Sequence, residues 1–110
     1  MNAPALNGEP PVDLAPCDWV EVVRILHEQV PALDVWAFGS RARRTAKPYS
    51  DLDLALITRE PLSLAQLASI TDAFELSDLP IRVDIVDWAG ASETFRKLIK
   101  QDMVLVQTAD

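Results

Sequence analysis

Apolar and polar residues follow two different periods along most of the chain. Between Asp18 and Pro31 the apolar positions recur every three or four residues, which predicts an amphipathic helix capped by Asp18 together with Glu21. Elsewhere, short apolar runs and one run that alternates carboxylates with leucines predict strands. In chain order the predicted elements are a helix over 18–30, strands over 35–38 and 51–57, a helix from 63 to before 80, a strand over 81–87, a helix from 92 and an edge strand over 104–106.

The connections between these elements define the expected fold. Only a polar loop, 40–50, joins the first two strands, and such a short link favours antiparallel pairing. The second helix separates the second and third strands. Its predicted apolar stripe consists of Leu64, Leu67, Ala68 and Phe74. The sequence therefore predicts an α/β (α+β) fold in which helices flank a small mixed β-sheet.

Length and proline content set the domain organisation. A chain of 110 residues fits one domain and leaves no room for a second catalytic one. Four of the 8 prolines fall within the first sixteen residues, where they disfavour both helix and strand. We therefore predict a flexible, Pro-rich tail over 1–17 and a single folded domain over 18–110.

Charge and cysteine content exclude several classes of protein. The formal net charge of −7 argues against direct binding to duplex nucleic acid, which needs a basic surface. Cys17 stands alone, so neither an internal disulfide nor a thiolate metal cage is expected. No apolar run approaches the roughly 20 residues of a membrane span, and the first residues lack the features of a secretory signal. The expected location is therefore the cytoplasm.

The strand after the polar loop carries the candidate chemistry. Asp51 and Asp53 are two residues apart, so on a strand their carboxylates lie on the same face. Two anionic side chains that face together need a cation between them, and Mg²⁺ with phosphate oxygens suits such a pair. Asp84, in the middle of the third strand, is the candidate third carboxylate, which would let two metal ions share the site.

A basic loop that follows a glycine precedes these carboxylates. Gly39 permits close backbone approach, and the amides around Ser40, with its hydroxyl, could hold a phosphate. The cationic side chains that could offset triphosphate charge are Arg41, Arg43, Arg44 and Lys47. Each feature alone has a structural explanation, such as a turn, a solvated arginine cluster or an ion pair between Asp84 and Arg82. Their coincidence in one short segment favours function.

Together these residues resemble the nucleotidyltransferase fold of the DNA-polymerase-β type, and more narrowly the minimal nucleotidyltransferase (MNT, MntA-like) antitoxins. The signature of that family is Gly-Ser, ten residues, then Asp-x-Asp, and Gly39-Ser40 with Asp51-Leu52-Asp53 match it without a gap. The chain also matches a later hydrophobic-Asp strand and a closing Phe-x-x-x-Ile that an apolar strand follows. These matches lie at 83–87, Phe95, Ile99 and 104–106, and the resemblance extends over 18–107.

The resemblance implies transfer of AMP from ATP to a tyrosine hydroxyl of a cognate HEPN-domain ribonuclease toxin. The two proteins would form a hetero-oligomer in a type VII-like toxin–antitoxin pair. By position, Asp51, Asp53 and Asp84 would bind two Mg²⁺ ions. Asp84 would also help to deprotonate the acceptor hydroxyl.

The resemblance also assigns roles to the residues around the loop. Gly39 and Ser40 would hold the β- and γ-phosphates, while Arg41 and Arg43 would either contact the nucleotide or pair with structural carboxylates. Contacts with the partner are implied for Arg44 and Lys47.

At one position the chain departs from the family, because Arg44 stands where the family usually has glycine. If that position needs a positive φ, the arginine carries a strain cost or the loop follows another path. This departure motivates a second hypothesis, a non-catalytic antitoxin that neutralises the toxin by stoichiometric binding. A third hypothesis is nucleotidyl transfer to a small molecule or an RNA end. It usually needs an additional substrate-binding domain, and the acidic charge disfavours RNA.

Four other side chains have structural interpretations beside functional ones. His27 is the only histidine and has no second ligand nearby in sequence, which favours a surface or packing position. Trp88 either packs or stacks on adenine, and Tyr49 either packs the loop or accepts AMP itself. Asp87 is a reserve candidate for the site.

Overall fold

A computed structural model describes residues 9–110, which form one four-stranded sheet and four α-helices. The elements are α1 Pro16–Gln29, β1 Asp34–Phe38, α2 Ser40–Arg43, β2 Leu52–Ile57, α3 Leu64–Glu75, β3 Val83–Asp87, α4 Glu93–Lys100 and β4 Val104–Gln107, with a 3₁₀ turn at Trp88–Gly90. Within this described range, no helix has the length and apolar character needed to cross a bilayer.

The sheet is mixed and has the strand order β3-β2-β1-β4. Strand β1 runs antiparallel to both β2 and β4, whereas β2 and β3 are parallel. Helix α3 supplies the crossover that a parallel pair requires. These pairings confirm the predicted mixed sheet, its antiparallel first pair and the edge strand that follows α4.

One face of the sheet packs against α1 and α3 to form the hydrophobic core. Side chains that point to this face alternate along β1 and β2, as the strand period requires. The buried residues of the cluster include Trp19, Leu26, Val35, Ala37, Leu54, Leu56 and Ile70. Burial of each large apolar side chain contributes roughly 1.5–3 kcal/mol, so this face supplies most of the hydrophobic stabilisation.

The opposite face of the sheet is only partly covered. Helix α4 lies on it, where Phe95 meets Phe38 edge-to-face with ring centroids 6.0 Å apart. Ile99 of α4 is fully buried but lies outside the main hydrophobic cluster. Asp53 and Asp84 occupy this same face, because they alternate with residues that point into the core.

The N-terminal part of the chain differs from its prediction. Helix α1 begins at Pro16 with Ala15 as its N-cap and no capping side chain, so the predicted cap at Asp18 is wrong. Proline is favoured in the first helical turn because its missing N–H would have no partner there. Val12 is fully buried in the hydrophobic cluster. The described part of the predicted tail, 9–17, therefore packs on the domain, and 1–8 lie outside the described residues.

Helix α3 confirms its predicted start but not its predicted apolar stripe. The capping box at Ser63 is formed. The buried side of the helix consists of Ile70 and Phe74, while Leu64 is 86% exposed and Ala68 is exposed as well. The predicted stripe is wrong at Leu64 and Ala68 because an advance of roughly 100° per residue rotates both away from Ile70 and Phe74.

The predicted polar loop begins with a short helix. The four residues of α2 are too few to produce a recognisable apolar period, so the sequence did not indicate it. Strand β2 begins at Leu52, which leaves Asp51 immediately before the strand rather than in it. Strand β3 begins at Val83, later than the predicted start at Ile81.

Candidate active site

Adjacent parallel strands place two carboxylates side by side. Asp53 of β2 and Asp84 of β3 are partners in register. Neighbouring strands lie roughly 4.8 Å apart, so two side chains in register on one face are close neighbours. Desolvation, reinforced by the charges of Asp84 and Asp51, raises the pKa of the Asp53 carboxyl. The site therefore concentrates negative charge, which favours a bound cation.

Asp51 lies at the edge of this pair. It immediately precedes β2, and its charge acts on Asp53. Among residues 9–110, no three Asp, Glu, His or Cys side chains already converge as the ligands of one metal ion. The structure thus brings Asp53 and Asp84 together and leaves Asp51 beside them, while their catalytic and metal-binding roles stay predictions.

Arg82 forms an ion pair with Asp84. The Nη2 atom of Arg82 lies 3.0 Å from Oδ1 of Asp84. This is the ion pair that the sequence offered as a structural alternative for Asp84. The side chain of Arg82 is 75% exposed and that of Asp84 is 38% exposed. Such a solvated ion pair contributes only about 0–1 kcal/mol. A ligand cation can therefore replace Arg82 at little cost.

Gly39 connects β1 to α2 directly against Asp53. Its φ of 77° lies in the left-handed region, which glycine adopts without strain. A Cβ atom at this position would lie 2.5 Å from Oδ2 of Asp53. The Gly39 carbonyl accepts a hydrogen bond from the N–H of Arg43, with 3.0 Å between nitrogen and oxygen. Glycine thus allows the backbone at the start of α2 to approach the carboxylate.

Arg41 holds the loop together rather than facing the carboxylates. Only 7% of Arg41 is exposed. Its guanidinium donates to the carbonyl oxygens of Asp13 at 2.6 Å, Ser50 at 2.9 Å, Pro48 at 3.3 Å and Lys47 at 3.4 Å. With its donors engaged in this way, Arg41 stabilises the loop, while its predicted nucleotide contact stays a prediction. Its partners are backbone carbonyls, not the structural carboxylates of the alternative interpretation.

Arg43 lies at the rim of the site. Its Nη1 atom is 2.8 Å from Oδ2 of Asp102. Desolvation dominates the raised pKa of the Asp53 carboxyl, and the charge of Arg43 acts in the opposite direction. Because 49% of its side chain is exposed, Arg43 is accessible to an anionic ligand as well as to Asp102. Its nucleotide contact stays a prediction.

Arg44 adopts the positive φ that the family's glycine suggested. Its φ of 59° and ψ of 37° end α2 in the left-handed region, which costs a non-glycine residue roughly 1–2 kcal/mol. The Arg44 side chain donates to the carbonyl of Pro10 at 2.5 Å and lies 3.5 Å from a carboxylate oxygen of Glu9. The arginine therefore keeps the loop path and contacts the N-terminal segment.

Asp87 supports the fold beside the site rather than joining it. Its carboxylate accepts hydrogen bonds from the hydroxyl of Thr58 and from the N–H of Leu62, the latter at 2.7 Å. Thr58 in turn accepts from the N–H of Ala89 at 3.0 Å. The reserve assignment of Asp87 is therefore wrong. Sequence reasoning missed Thr58, because a partner 29 residues away leaves no local signal.

The remaining singled-out side chains occupy the surface around the site. The cations of Arg96 and Lys100 lie 5.3 Å and 5.7 Å from the centroid of Trp88, which confirms the packing interpretation. Tyr49 is 92% exposed, so its predicted packing role is wrong, while its role as an AMP acceptor stays a prediction. His27 is exposed, in agreement with the surface interpretation.

Known proteins are similar in sequence to most of this chain. Residues 21–110 match the family model described as polymerase beta, nucleotidyltransferase. The "Probable protein adenylyltransferase MntA" of Haemophilus influenzae is 51% identical over 86 residues, which cover 78% of this chain and 75% of that protein. The chain belongs to the polymerase-beta nucleotidyltransferase family.

Solved structures share the fold of this polymerase-beta nucleotidyltransferase. A toxin–antitoxin structure with AMP-PNP has a TM-score of 0.70 at 22% identity and covers 84% of this chain and 74% of that one. A structure of a tri-AMPylated HEPN toxin of Shewanella oneidensis in complex with an MNT antitoxin gives 0.65 at 19% identity, over 84% and 71%. At these identities the similarity establishes the fold, and the predicted nucleotidyltransferase fold is confirmed.

Proposed function

We propose that this nucleotidyltransferase transfers AMP from ATP to a tyrosine hydroxyl of a cognate HEPN-domain toxin and so acts as a cytoplasmic antitoxin. The observation that carries the proposal is the in-register pair of Asp53 and Asp84 directly beside Gly39. The relative that is 51% identical is named a protein adenylyltransferase, and a solved structure with the same fold contains an AMPylated HEPN toxin. Both observations support this substrate and partner.

The donor set of the site fits Mg²⁺. Carboxylate oxygens are the ligands that this ion prefers, and a divalent cation would relieve the repulsion that Asp53 experiences from Asp84 and Asp51. Asp51, Asp53 and Asp84 would together hold two ions. When bound, such ions offset the charge that develops on the attacking and leaving oxygens.

The residues of the chain would bind the nucleotide and move the proton. Backbone amides at Gly39 and Ser40, with the Ser40 hydroxyl, would donate to the β- and γ-phosphates. Asp84 would accept the proton of the tyrosine hydroxyl as its oxygen forms a bond to the α-phosphorus. The bond from the α-phosphorus to the bridging oxygen breaks at the same step, and pyrophosphate leaves with the electron pair. Arg43 would offset part of the triphosphate charge.

Intact mass spectrometry of the partner tests this proposal. Incubation with ATP, Mg²⁺ and the HEPN protein encoded beside this chain is expected to increase the toxin mass by whole AMP units. Asp53→Ala should abolish the increase, whereas Asp72→Ala on the exposed side of α3 should preserve it. EDTA should abolish the transfer and added Mg²⁺ should restore it. An unmodified toxin in an intact, folded pair would refute adenylyl transfer, as would full activity of Asp53→Ala.

The ion pair of Asp84 favours a second function, stoichiometric inhibition without catalysis. Nη2 of Arg82 lies 3.0 Å from Oδ1 of Asp84 and so engages an oxygen that a metal ion would use. A chain that retained the fold only as a binding surface could have this feature. In that case, a variant with both Asp51 and Asp53 replaced by alanine would still neutralise the toxin.

A further inference from the structure

A short segment ahead of the family-matched range packs against the loop of the site. The match to the family begins at residue 21, and residues 9–13, named here the N-terminal strap, precede α1. Val12 in the strap is fully buried in the hydrophobic cluster. The strap is therefore anchored to the domain by its own apolar contact.

Arg41 joins the strap to the end of the loop. Its Nη1 atom donates to the carbonyl of Asp13 at 2.6 Å, and the N–H of Asp13 donates back to the carbonyl of Arg41 at 2.8 Å. The Nε atom of Arg41 donates to the carbonyl of Ser50 at 2.9 Å. Because Ser50 directly precedes Asp51, these hydrogen bonds connect the strap to one of the three carboxylates.

Arg44 makes a second link between the strap and the site. Its guanidinium donates to the carbonyl of Pro10 at 2.5 Å. This contact offsets part of the strain of the left-handed backbone at the end of α2. Gly39, the N-cap of the same short helix, lies against Asp53. Both arginines therefore connect the strap to segments that adjoin the carboxylates.

We propose that the N-terminal strap, acting through Arg41 and Arg44, is a positioning element that holds Asp51 and Gly39 in place for the metal–nucleotide complex. The inference rests on the proposed function of the site. It gives a role to residues outside the family-matched range. It also gives a reason for arginine at position 44, because a glycine there could not make the link to Pro10.

Two substitutions of Arg44 separate the side-chain link from the backbone strain. Arg44→Gln removes the guanidinium and keeps the strained φ, whereas Arg44→Gly removes the guanidinium and relieves the strain. Arg24→Gln is the matched control. The side chain of Arg24 is 52% exposed, close to the 46% of Arg44, and its ion pairs are with Glu21 and Glu28 of its own helix.

The readout is calorimetric binding of Mn²⁺ with a non-hydrolysable ATP analogue to the isolated full chain. It is measured at a temperature where circular dichroism shows every variant folded. Both Arg44 variants are expected to bind roughly tenfold more weakly, because loss of the link to the strap lets the loop of the site shift from its binding geometry. Arg24→Gln should bind like the wild type. A purely structural link would lower the melting temperature and leave the affinity unchanged.

Several results would overturn the inference. The first is wild-type affinity in both Arg44 variants. The second is weaker binding in only one of the two variants, which would assign the effect to the backbone. The third is an equal loss of affinity in Arg24→Gln. A wild-type chain that binds no metal–nucleotide complex would instead refute the proposed function, and the inference with it.

Discussion

Gly39 is the residue at which the constraints of the fold and of the site coincide. Gly39→Ala is expected to reduce the free energy of unfolding by about 1–3 kcal/mol, because an L residue is strained at this φ and its Cβ would lie 2.5 Å from Oδ2 of Asp53. Displacement of the carboxylate should also abolish adenylyl transfer. Gly90→Ala is the control, since nothing lies within 4 Å of its added Cβ. Equal stability of the two variants in urea would contradict this explanation.

We expect the Asp53 carboxylate to destabilise the folded chain near neutral pH. Desolvation, followed by the charges of Asp84 and Asp51, raises the pKa of its carboxyl, so the folded state binds this proton more tightly than the unfolded chain. The resulting destabilisation is absent below the ordinary value of 3.8 and complete above the raised pKa. Asp53→Asn should therefore increase the free energy of unfolding near neutral pH, by an amount that solvent screening keeps small.

Urea unfolding in EDTA measures this effect. The wild type, Asp53→Asn and the exposed control Asp72→Asn are compared near neutral pH and below the ordinary carboxyl pKa. The gain in Asp53→Asn should disappear at the lower pH, while Asp72→Asn should match the wild type at both. A loss of stability in Asp53→Asn at neutral pH would show that desolvation and repulsion of the carboxylate do not dominate its environment.

The residues of the site differ in how far the sequence predicts them. Gly39, Asp53 and Asp84 are predictable because each lies in or directly after a strand, where alternation determines its face. The role of Arg41 is not predictable in this way. Its acceptors are backbone carbonyls up to 28 residues away, and a carbonyl has no sequence signature.

At the scale of elements, the register between β2 and β3 creates the candidate site. A slip of one residue would turn Asp53 into the core, because neighbouring side chains on a strand face opposite ways. The alternation of leucine and carboxylate in β2 therefore predicts both the register and the face. The start of α1 at Pro16 is not predictable in this way, because the prolines before it make the segment resemble a tail.

The hydrogen bonds of Asp87 connect β3 to the segment that follows β2. Substitution of Asp87 can distinguish this structural role from a role in the site. Asp87→Ala would leave the hydroxyl of Thr58 and the N–H of Leu62 without their acceptor, and an unsatisfied buried donor costs about 1–3 kcal/mol. Thermal unfolding should show a loss of about 2 kcal/mol for Asp87→Ala and about half of that for Asp87→Asn, which keeps one acceptor oxygen. Adenylyl transfer should be unchanged where both variants are folded. A loss of adenylyl transfer without a loss of stability would contradict this structural role and assign Asp87 to the site.

At the scale of the whole molecule, the two faces of the sheet have separate tasks. The face under α1 and α3 carries the hydrophobic cluster, and the face under α4 carries Asp53 and Asp84. Because of this division, substitution of the carboxylates is expected to leave the core intact. In the proposed reaction the acceptor hydroxyl comes from a second protein, so transfer depends on how that protein docks at the site.

Catalytic and stoichiometric neutralisation of the toxin predict different dose dependences. A transferase turns over, so with ATP and Mg²⁺ one molecule of wild type should silence many toxin molecules, and ribonuclease activity should reach background well below an equimolar dose. The double variant Asp51→Asn and Asp53→Asn preserves side-chain shape but removes two charges, and it should need at least an equimolar dose. Titration of ribonuclease activity, with ATP omitted as the control, distinguishes the two. If the wild type also needs an equimolar dose with ATP present, the molecule works as a binding module.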